Sequence, residues 1–330
     1  MIKVVSKDSN LNNNERYFGV HDGKFHADEV MAIAILNILY GDDITLNVIR
    51  SRDIKYFDDN NILKIDVGLG KFDHHQIGGN GVRENGVKYA SCGLIWREFG
   101  YDVINKLANN ELSQNDVDRI FDEIDSFIVQ PIDAFDNGQD FDKTSSSNFR
   151  YIPNFNPNWN EDITLADSYF EIAANIASKQ LEREIIKRIS CRLSDKLVNL
   201  NNIDDYIYKN ILILDIPSFP WKKVVQMYNR SNNNKIDFVI TPYNTGGYIL
   251  QCVTTGGNNP FEVRIKLPAD WVVDSSMLPI VTGCKSAVFC HKDLFMARAL
   301  EKNDAIKMAE IATKRSYSNN NYKKARRKKN

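Results

Sequence analysis

The chain has 330 residues, of which 43% are hydrophobic, and its formal net charge is −1 at pH 7. This length predicts two domains, and the near-zero charge excludes a global field that would draw the whole protein onto nucleic acid or membrane. Five cysteines without a Cys-x-x-Cys pair, no secretory signal and no long apolar run predict an intracellular protein of a reducing compartment that does not cross a membrane.

The first half of the chain predicts an α/β domain with a mostly parallel sheet. Residues 1–15 are polar, and we expect them to be frayed. Hydrophobic periodicity then alternates between predicted strands at 17–20, 44–49 and 62–67 and predicted helices at 27–40, 90–99 and 113–136. The last helix should be kinked or broken near Pro131, because proline lacks a backbone donor.

The second half predicts a smaller α+β domain. Its patterns indicate helices at 165–200 and 304–314 and strands at 211–214, 238–240, 248–253, 261–266 and 287–290. The short serine-rich stretch at 140–147 is the best linker candidate. We therefore predict domains at 1–140 and 165–315, a linker region at 141–164, and a basic disordered tail at 316–330.

Four of the five histidines fall in two short stretches beside carboxylates. His21 and His26 are followed by Asp28, and His74 and His75 come after Asp66 and Asp73. Imidazole nitrogens mixed with carboxylate oxygens suit Mn²⁺, Zn²⁺ or Fe²⁺ and admit Mg²⁺. Asp66 ends a predicted strand, which is where open α/β sheets bind ligands. The alternative is a polar loop whose histidines cap the following helix.

Asp73-His74-His75 after a strand-end aspartate resembles the DHH phosphoesterase superfamily, which includes RecJ-type exonucleases and manganese inorganic pyrophosphatases. The motifs His21-x-Gly-x-Phe-His26-Ala-Asp28-Glu29 and Ile132-Asp-Ala-Phe-Asp-Asn-Gly138 more closely resemble the melanocyte proliferating gene 1 family. Members of that family are described as metal-dependent hydrolases and as 3′–5′ RNA exonucleases. The resemblance covers residues 16–315, but His291 lacks the glycine-rich segment that usually follows it in the family.

The resemblance implies a centre of two divalent metal ions, with Mn²⁺ favoured and Zn²⁺, Fe²⁺ and Mg²⁺ as alternatives. His21 and His26 would hold one ion, and Asp66 would bridge to the other. Asp133 and Asp136 are three residues apart and can share one side of a helix end, so one of them should complete the second site. Two solvated carboxylates are the alternative for this pair. The predicted metal ligands are His21, His26, Asp28, Asp66, His74, Asp133 and Asp136.

Several residues are candidates for contacts with substrate phosphate. His75 either contacts the scissile phosphate or orients His74, and Asp73 supports the histidines. His291 either reaches phosphate or is a packed residue at a strand end. Trp159, Trp221 and Trp271 are expected to pack domains together rather than to stack on bases. The predicted catalytic residues are Asp66, His75 and His291, and the predicted substrate-binding residues are Arg150, Arg264, Lys266 and His291.

These features predict a metal-dependent phosphodiester hydrolase, and by resemblance a 3′–5′ RNA exonuclease that uses a water activated by two metals. Its partner would be RNA or a short oligonucleotide. The alternatives are a small-molecule phosphoesterase or pyrophosphatase, and a non-catalytic metal-dependent binding protein. The basic run at 323–329 favours nucleus or cytoplasm over mitochondrion, and it is otherwise a solvated end. The sequence predicts no particular oligomeric state.

Overall fold

The computed structural model describes residues 1–7, 15–41, 44–59, 61–139, 149, 151–233, 235–257, 259 and 261–327. The chain divides into two compact units, Met1–Arg192 and Leu193–Asn330. The predicted linker at 140–147 lies outside the described residues. Among the described residues, no helix is both long enough and apolar enough to cross a membrane.

The first unit is built on a four-stranded parallel sheet in the order β1-β3-β2-β4, which confirms the predicted parallel α/β class. Its strands are β1 (Ile2–Val4), β2 (Arg16–Val20), β3 (Leu46–Arg50) and β4 (Ile62–Lys64). The expectation that residues 1–15 are frayed is wrong for β1, which pairs with β3 along its whole length.

Five helices accompany this sheet, and a π-helical turn lies between two of them. They are α1 (Ala27–Tyr40), α2 (Ser91–Leu107), α3 (Gln114–Ile124), α4 (Gln130–Asp136) and α5 (Ala166–Leu197). The break predicted near Pro131 is the π-helical turn Asp125–Val129, which ends just before α4. Pro131 is the second residue of α4, which follows this turn directly.

Most of α5 belongs to the first unit, although the sequence predicted a domain boundary before it. Asn175 Oδ1 accepts from the backbone N–H of Ile2 at 3.2 Å, and Ser178 Oγ accepts from Asn37 Nδ2 at 2.8 Å. Near its end, Arg192 pairs with Glu123. These side-chain contacts explain why the boundary between the units falls at Arg192, inside α5, rather than at 141–164.

The second unit is an α+β fold around a six-stranded sheet in the order β5-β6-β7-β8-β10-β9. The β6–β7 pair is parallel and the other pairs are antiparallel. The strands are β5 (Ile207–Tyr208), β6 (Ile211–Ile213), β7 (Phe238–Pro242), β8 (Tyr248–Cys252), β9 (Ala287–Cys290) and β10 (Met296–Ala299). The helices are α6 (Lys222–Ser231), α7 (Leu278–Thr282) and α8 (Lys302–Arg327).

Apolar side chains from α6 and α8 pack in two separate cores of the second unit. Phe238 and Leu250 share one core with Met308 of α8, and Val239 shares the other with Val225 of α6. Alternate residues of β7 therefore serve the two cores, as expected where side chains alternate across a strand.

Two segments of the second unit differ from the sequence prediction. The strand predicted at 261–266 is wrong, because a single bridge between Thr254 and Val263 is the only β-pairing recorded for the described part of that segment. Helix α8 extends through Arg327, so the segment predicted as a disordered tail begins inside a helix. No proline or glycine occurs within α8 to end it earlier.

Candidate metal centre

The first ligands follow two neighbouring parallel strands at the same edge of the sheet. His21 comes directly after β2, and Asp66 comes two residues after β4, which pairs with β2. Nε2 of His21 lies 3.5 Å from Oδ2 of Asp66. Side chains that follow these two strands lie close together, because the carboxyl ends of parallel strands meet at one edge of a sheet.

Asp66 adopts a backbone conformation that non-glycine residues rarely use, with φ at 57°. Its N–H donates to the carbonyl of Phe72 at 3.0 Å, and its carboxylate accepts from Ser91 Oγ at 3.3 Å. The strained turn thus fixes a buried carboxylate at the centre of the cluster, and such strain is commonly found at functional sites.

One group of candidate ligands comprises His21, His26, Glu29 and Asp66, with one ligand atom from each within 4.8 Å of the others. Nδ1 of His21 lies 2.9 Å from the carbonyl oxygen of Asp22 and 3.2 Å from Nη2 of Arg52, so Nε2 is the nitrogen that faces the carboxylates. That Nε2 lies 3.0 Å from Oε1 of Glu29. The same carboxylate accepts the backbone N–H of His26 at the start of α1.

A second group comprises Asp28, His74 and Asp136. Nε2 of His74 lies 2.9 Å from Oδ2 of Asp136 and 4.0 Å from Oδ2 of Asp28. It also lies 3.3 Å from Oδ1 of Asp66, so the Asp66 carboxylate faces both groups. The structure therefore brings together six of the seven predicted ligands, His21, His26, Asp28, Asp66, His74 and Asp136.

Asp133, the seventh predicted ligand, belongs to a separate group of candidate ligands with Asp28 and Cys92. It is fully buried, and it accepts the backbone N–H of Gly93 at 2.9 Å and pairs with Nη1 of Arg83 at 2.7 Å. Burial raises its pKa to about 7, against the opposing charge of Arg83. Of the two aspartates in α4, Asp136 is the one that faces the histidines.

His75 and Asp73 form the outer side of the cluster. Asp73 accepts the backbone N–H of His75 at 3.0 Å and that of Leu69 at 2.7 Å, and it lies 2.9 Å from Nδ1 of His75. Asp73 therefore supports the histidine turn, as the sequence suggested. The His75 side chain is 57% exposed and lies 3.2 Å from Asp66, so its ring is accessible to a substrate.

The carboxylates of the cluster are buried close together, and their negative charges shift the pKa values of their neighbours. Burial, with the charges of Asp66 and Asp136, raises the pKa of Asp28 well above its usual range. Burial opposes protonation of His74, but Asp136 and Asp66 raise its pKa to about 11. The Asp66 carboxylate likewise raises the pKa of His75 to about 9. Cations, either protons on imidazole or metal ions, are needed to balance this charge.

Three buried atoms of the cluster test whether a metal fits. Nε2 of His21, Oδ2 of Asp66 and Nε2 of His74 are buried and make no well-aligned hydrogen bond with the described residues. Such atoms are rare without a partner. Their nitrogen and oxygen chemistry suits divalent ions of the Mn²⁺, Fe²⁺ and Zn²⁺ type. The residues present therefore fit a divalent metal centre.

Two buried residues of this region, Glu29 and Arg83, were not predicted. Glu29 follows a histidine by three positions at a helix start, so its sequence context indicates a cap rather than a ligand. Arg83 lies in the glycine-rich loop at 78–86, and its partners Asp125 and Asp133 are 42 or more residues away along the chain. In the sequence, Glu29 could have been found from its position directly after the predicted ligand Asp28. No local pattern indicated Arg83.

The predicted substrate residues of the second unit are described within that unit alone. Nε of Arg264 pairs with the buried Asp237 at 2.7 Å, and Lys266 is exposed. His291 follows β9, and its Nδ1 accepts the N–H of Asp293 at 3.1 Å. Arg150 lies outside the described residues, so the roles of these four residues in substrate binding stay predictions.

The tryptophans divide into two kinds. Trp221 and Trp271 are buried in the cores of the second unit, as expected for packing residues. Trp159 is 96% exposed in the first unit.

A buried carboxylate and imidazole cluster at the carboxyl edge of a parallel sheet, with an accessible histidine beside it, defines the chain as a metal-dependent hydrolase. The family model of MYG1 exonuclease, described as an uncharacterised protein family (UPF0160), matches residues 17–313. The chain therefore belongs to the MYG1 exonuclease family, which confirms the resemblance seen in the sequence.

Relatives from distant eukaryotes match most of the chain. A MYG1 protein of Saccharomyces cerevisiae is 28% identical over 322 residues, covering 88% of this chain and 94% of the yeast protein. The MYG1 exonuclease of Homo sapiens is 24% identical over 337 residues, covering 91% and 86%. Among solved structures, RecJ from Thermus thermophilus in complex with Mn²⁺ aligns with 91% of this chain and 52% of its own, at 10% identity and a TM-score of 0.25.

Proposed function

We propose that this chain is a metal-dependent exonuclease that digests RNA from its 3′ end, with Mn²⁺ as the activating ion. The observation that carries the proposal is the position of Asp66, whose buried carboxylate faces His21 at 3.5 Å and His74 at 3.3 Å. A carboxylate shared between two ligand groups is the arrangement that two-metal phosphodiesterases need. The names of the mammalian relatives, MYG1 exonuclease, support the nucleic-acid substrate.

The residues divide the work as follows. His21, His26 and Glu29 would hold one ion, Asp28, His74 and Asp136 would hold the other, and Asp66 faces both groups. Divalent metals bound there supply an activated water and balance the charge that develops on phosphate. His75 is exposed beside Asp66, and an imidazole in that position can donate a hydrogen bond to a phosphate oxygen.

The test uses single-stranded RNA of one sequence, labelled at either the 5′ or the 3′ end, with matched DNA and with pyrophosphate. With Mn²⁺, we expect stepwise release of 5′-mononucleotides from the 3′ end of RNA and no release after chelation. Release of orthophosphate from pyrophosphate alone would instead indicate a small-molecule phosphatase. Tight Mn²⁺ binding with no turnover of any substrate would indicate a binding protein and overturn the proposal.

We also propose an intracellular, reducing location, nuclear or cytoplasmic rather than mitochondrial. The support is that Cys92, Cys252 and Cys284 are buried thiols outside any disulfide, together with the basic run at 323–329. Imaging of the full chain carrying a small C-terminal tag tests this, and residence in a secretory compartment would contradict it.

A further inference from the structure

A buried arginine from the glycine-rich loop lies behind the second ligand group. Arg83 is 9% exposed, and its guanidinium bridges two carboxylates. Nε and Nη2 bond to Asp125 at 2.9 and 2.6 Å, and Nη1 lies 2.7 Å from Oδ2 of Asp133. The guanidinium also stacks on the ring of Tyr89, with its carbon 4.0 Å from the ring centroid. Four contacts therefore hold one cation in one orientation.

One carboxylate comes from the start of the π-helical turn and the other from the helix that follows it. Asp125 is the first residue of that turn, and Asp133 lies in α4 beyond it. Gln130 donates to Asp125 at 2.7 Å and accepts from Asn85 at 2.8 Å, which ties the same loop to the turn a second time. Because a π-helical turn adds a residue to the helical path, it sets the rotation of α4 relative to α3. Arg83 locks that rotation.

Asp133 connects α4 to α2, so the orientation of α4 also affects α2. Its carboxylate accepts the N–H of Gly93, while Asp28 accepts those of Ser91 and Cys92 at 3.0 and 2.6 Å. Carboxylates from α1 and α4 thus bind three consecutive N–H groups in the first turn of α2. Such groups have no partner within their own helix and favour negative charge.

The metal ligands are attached to the same elements. Asp136 lies three residues beyond Asp133 in α4 and faces His74 at 2.9 Å. Ser91, in the first turn of α2, donates from Oγ to Asp66 at 3.3 Å. A change in the rotation of α4 or in the position of α2 would therefore move residues of the second ligand group, Asp28, His74 and Asp136.

We propose that Arg83 is a positioning residue for the metal centre, which it serves through Asp133 and Asp125 without binding metal itself. The proposal rests on the metal centre of the proposed function, but not on any particular substrate. A purely structural ion pair would stabilise the fold and leave metal affinity unchanged. A positioning residue must also set the affinity of the folded protein for Mn²⁺, as outer partners of metal ligands do.

The experiment compares Arg83→Met with Arg97→Met in the full chain. Arg97 is the matched control, because it stacks on the same Tyr89 ring at 4.6 Å but is exposed and has no ion pair with any described carboxylate. Mn²⁺ affinity is measured by electron paramagnetic resonance titration, at a temperature where circular dichroism shows each variant to be folded. We expect Arg83→Met to weaken Mn²⁺ binding by about 10- to 100-fold and Arg97→Met to leave it unchanged.

Two further variants make the result decisive. Arg83→Lys keeps the charge but cannot bridge both carboxylates with a planar fork, so it should give an intermediate affinity. Asp125→Asn is isosteric, removes one side of the bridge and serves if Arg83→Met does not fold; it should also weaken Mn²⁺ binding. If folded Arg83→Met binds Mn²⁺ with wild-type affinity, the proposal is overturned, even if the melting temperature falls. If Arg83→Met does not fold, wild-type Mn²⁺ affinity of Asp125→Asn overturns it in the same way. A wild-type chain that binds Mn²⁺ but cleaves no nucleic acid would overturn the proposed function instead.

Discussion

Asp66 is the residue on which both ligand groups depend. Replacing it with asparagine removes the shared negative charge while keeping its size, and asparagine tolerates the left-handed backbone that Asp66 adopts at φ 57°. We therefore expect Asp66→Asn to retain the fold but to lose both metal ions and turnover. Metal content by mass spectrometry, with circular dichroism and activity on the same preparation, measures this.

The control for that variant is Asp58→Asn, which changes an exposed carboxylate in the segment before β4. It should retain metal content and activity. If Asp66→Asn keeps near wild-type turnover under limiting Mn²⁺, the carboxylate does not belong to the metal centre.

Protons on the histidines compete with metal. Nearby carboxylates raise the pKa of His74 to about 11 and that of His75 to about 9, so both rings are cationic at pH 7 without metal. A metal ligand must be neutral imidazole, so binding at His74 releases its proton. Affinity should therefore rise with pH through neutrality, by about tenfold per pH unit for each proton displaced.

Calorimetric titration with Mn²⁺ at pH 7 in two buffers of different ionisation enthalpy measures this release. The difference in heat should correspond to at least one proton for each protein molecule loaded. Identical heats in the two buffers would show that His74 is not deprotonated on binding, and would remove it from the ligand set.

The sequence predicted residues of the centre where ligand chemistry was concentrated along the chain. His21, His26 and Asp28 lie within eight positions, and their grouping was visible directly. The choice of Asp136 over Asp133 was not, because it depends on Arg83 and Gly93, which lie 40 or more residues before Asp133. Sequence spacing can place two carboxylates on one side of a helix, but only tertiary packing decides which one meets the histidines.

At the scale of elements, the first turn of α2 connects the carboxylates to the metal centre. A Cβ added at Gly93 would lie 1.9 Å from Oδ2 of Asp133, so Gly93→Ala must displace either α2 or Asp133. We expect the free energy of unfolding to fall by about 1–3 kcal/mol, as is typical of overpacking. Metal affinity should fall as well, because the displacement reaches Asp136 through α4.

Denaturant unfolding and Mn²⁺ titration of the same sample measure the two effects. Gly70→Ala is the matched control, because its Cβ would meet nothing within 4 Å and its φ is not positive. Unchanged stability and affinity in Gly93→Ala would show that the close approach of Asp133 to α2 is not required.

Elements with a buried periodic face were predictable, and those made by distant contacts were not. Helix α1 was predicted with its observed bounds, since Ala27–Tyr40 is densely apolar. Strand β1 was missed because its polar neighbours hide three residues that pair with β3, of which Ile2 also bonds to Asn175 of α5. The π-helical turn was anticipated only as a break near Pro131, because Arg83, the partner of its first residue Asp125, lies 42 residues earlier in the chain.

At the scale of the whole molecule, the sequence correctly predicted an α/β unit followed by an α+β unit. The position of the division differed, because helical periodicity continues across residue 192 and carries no sign of where the packing of α5 changes. The pairing of Arg192 with Glu123 of α3 marks the end of the first unit. Such a boundary inside a helix leaves no signal in composition.

The contribution of the second unit to activity is tested at His291, the one histidine outside the metal stretches. Its ring is held within the β9–β10 turn, because Nδ1 accepts the N–H of Asp293 and the ring centroid lies 4.2 Å from that of Phe295. We predict that this fixed ring contacts substrate phosphate.

His291→Ala should then lower turnover of an RNA dinucleotide by roughly 10- to 150-fold, the equivalent of one charge-assisted contact of about 1.5–3 kcal/mol, without loss of metal. Asp293→Asn is the comparison variant, because it keeps the backbone donor and removes only the charge of the carboxylate that lies 3.6 Å from Nδ1 of His291. Metal content, melting temperature and turnover are measured on one preparation of each variant. A lower melting temperature with full activity per folded molecule would mean that His291 serves packing alone, whereas loss of metal from His291→Ala would make it a ligand and change the division of roles between the two units.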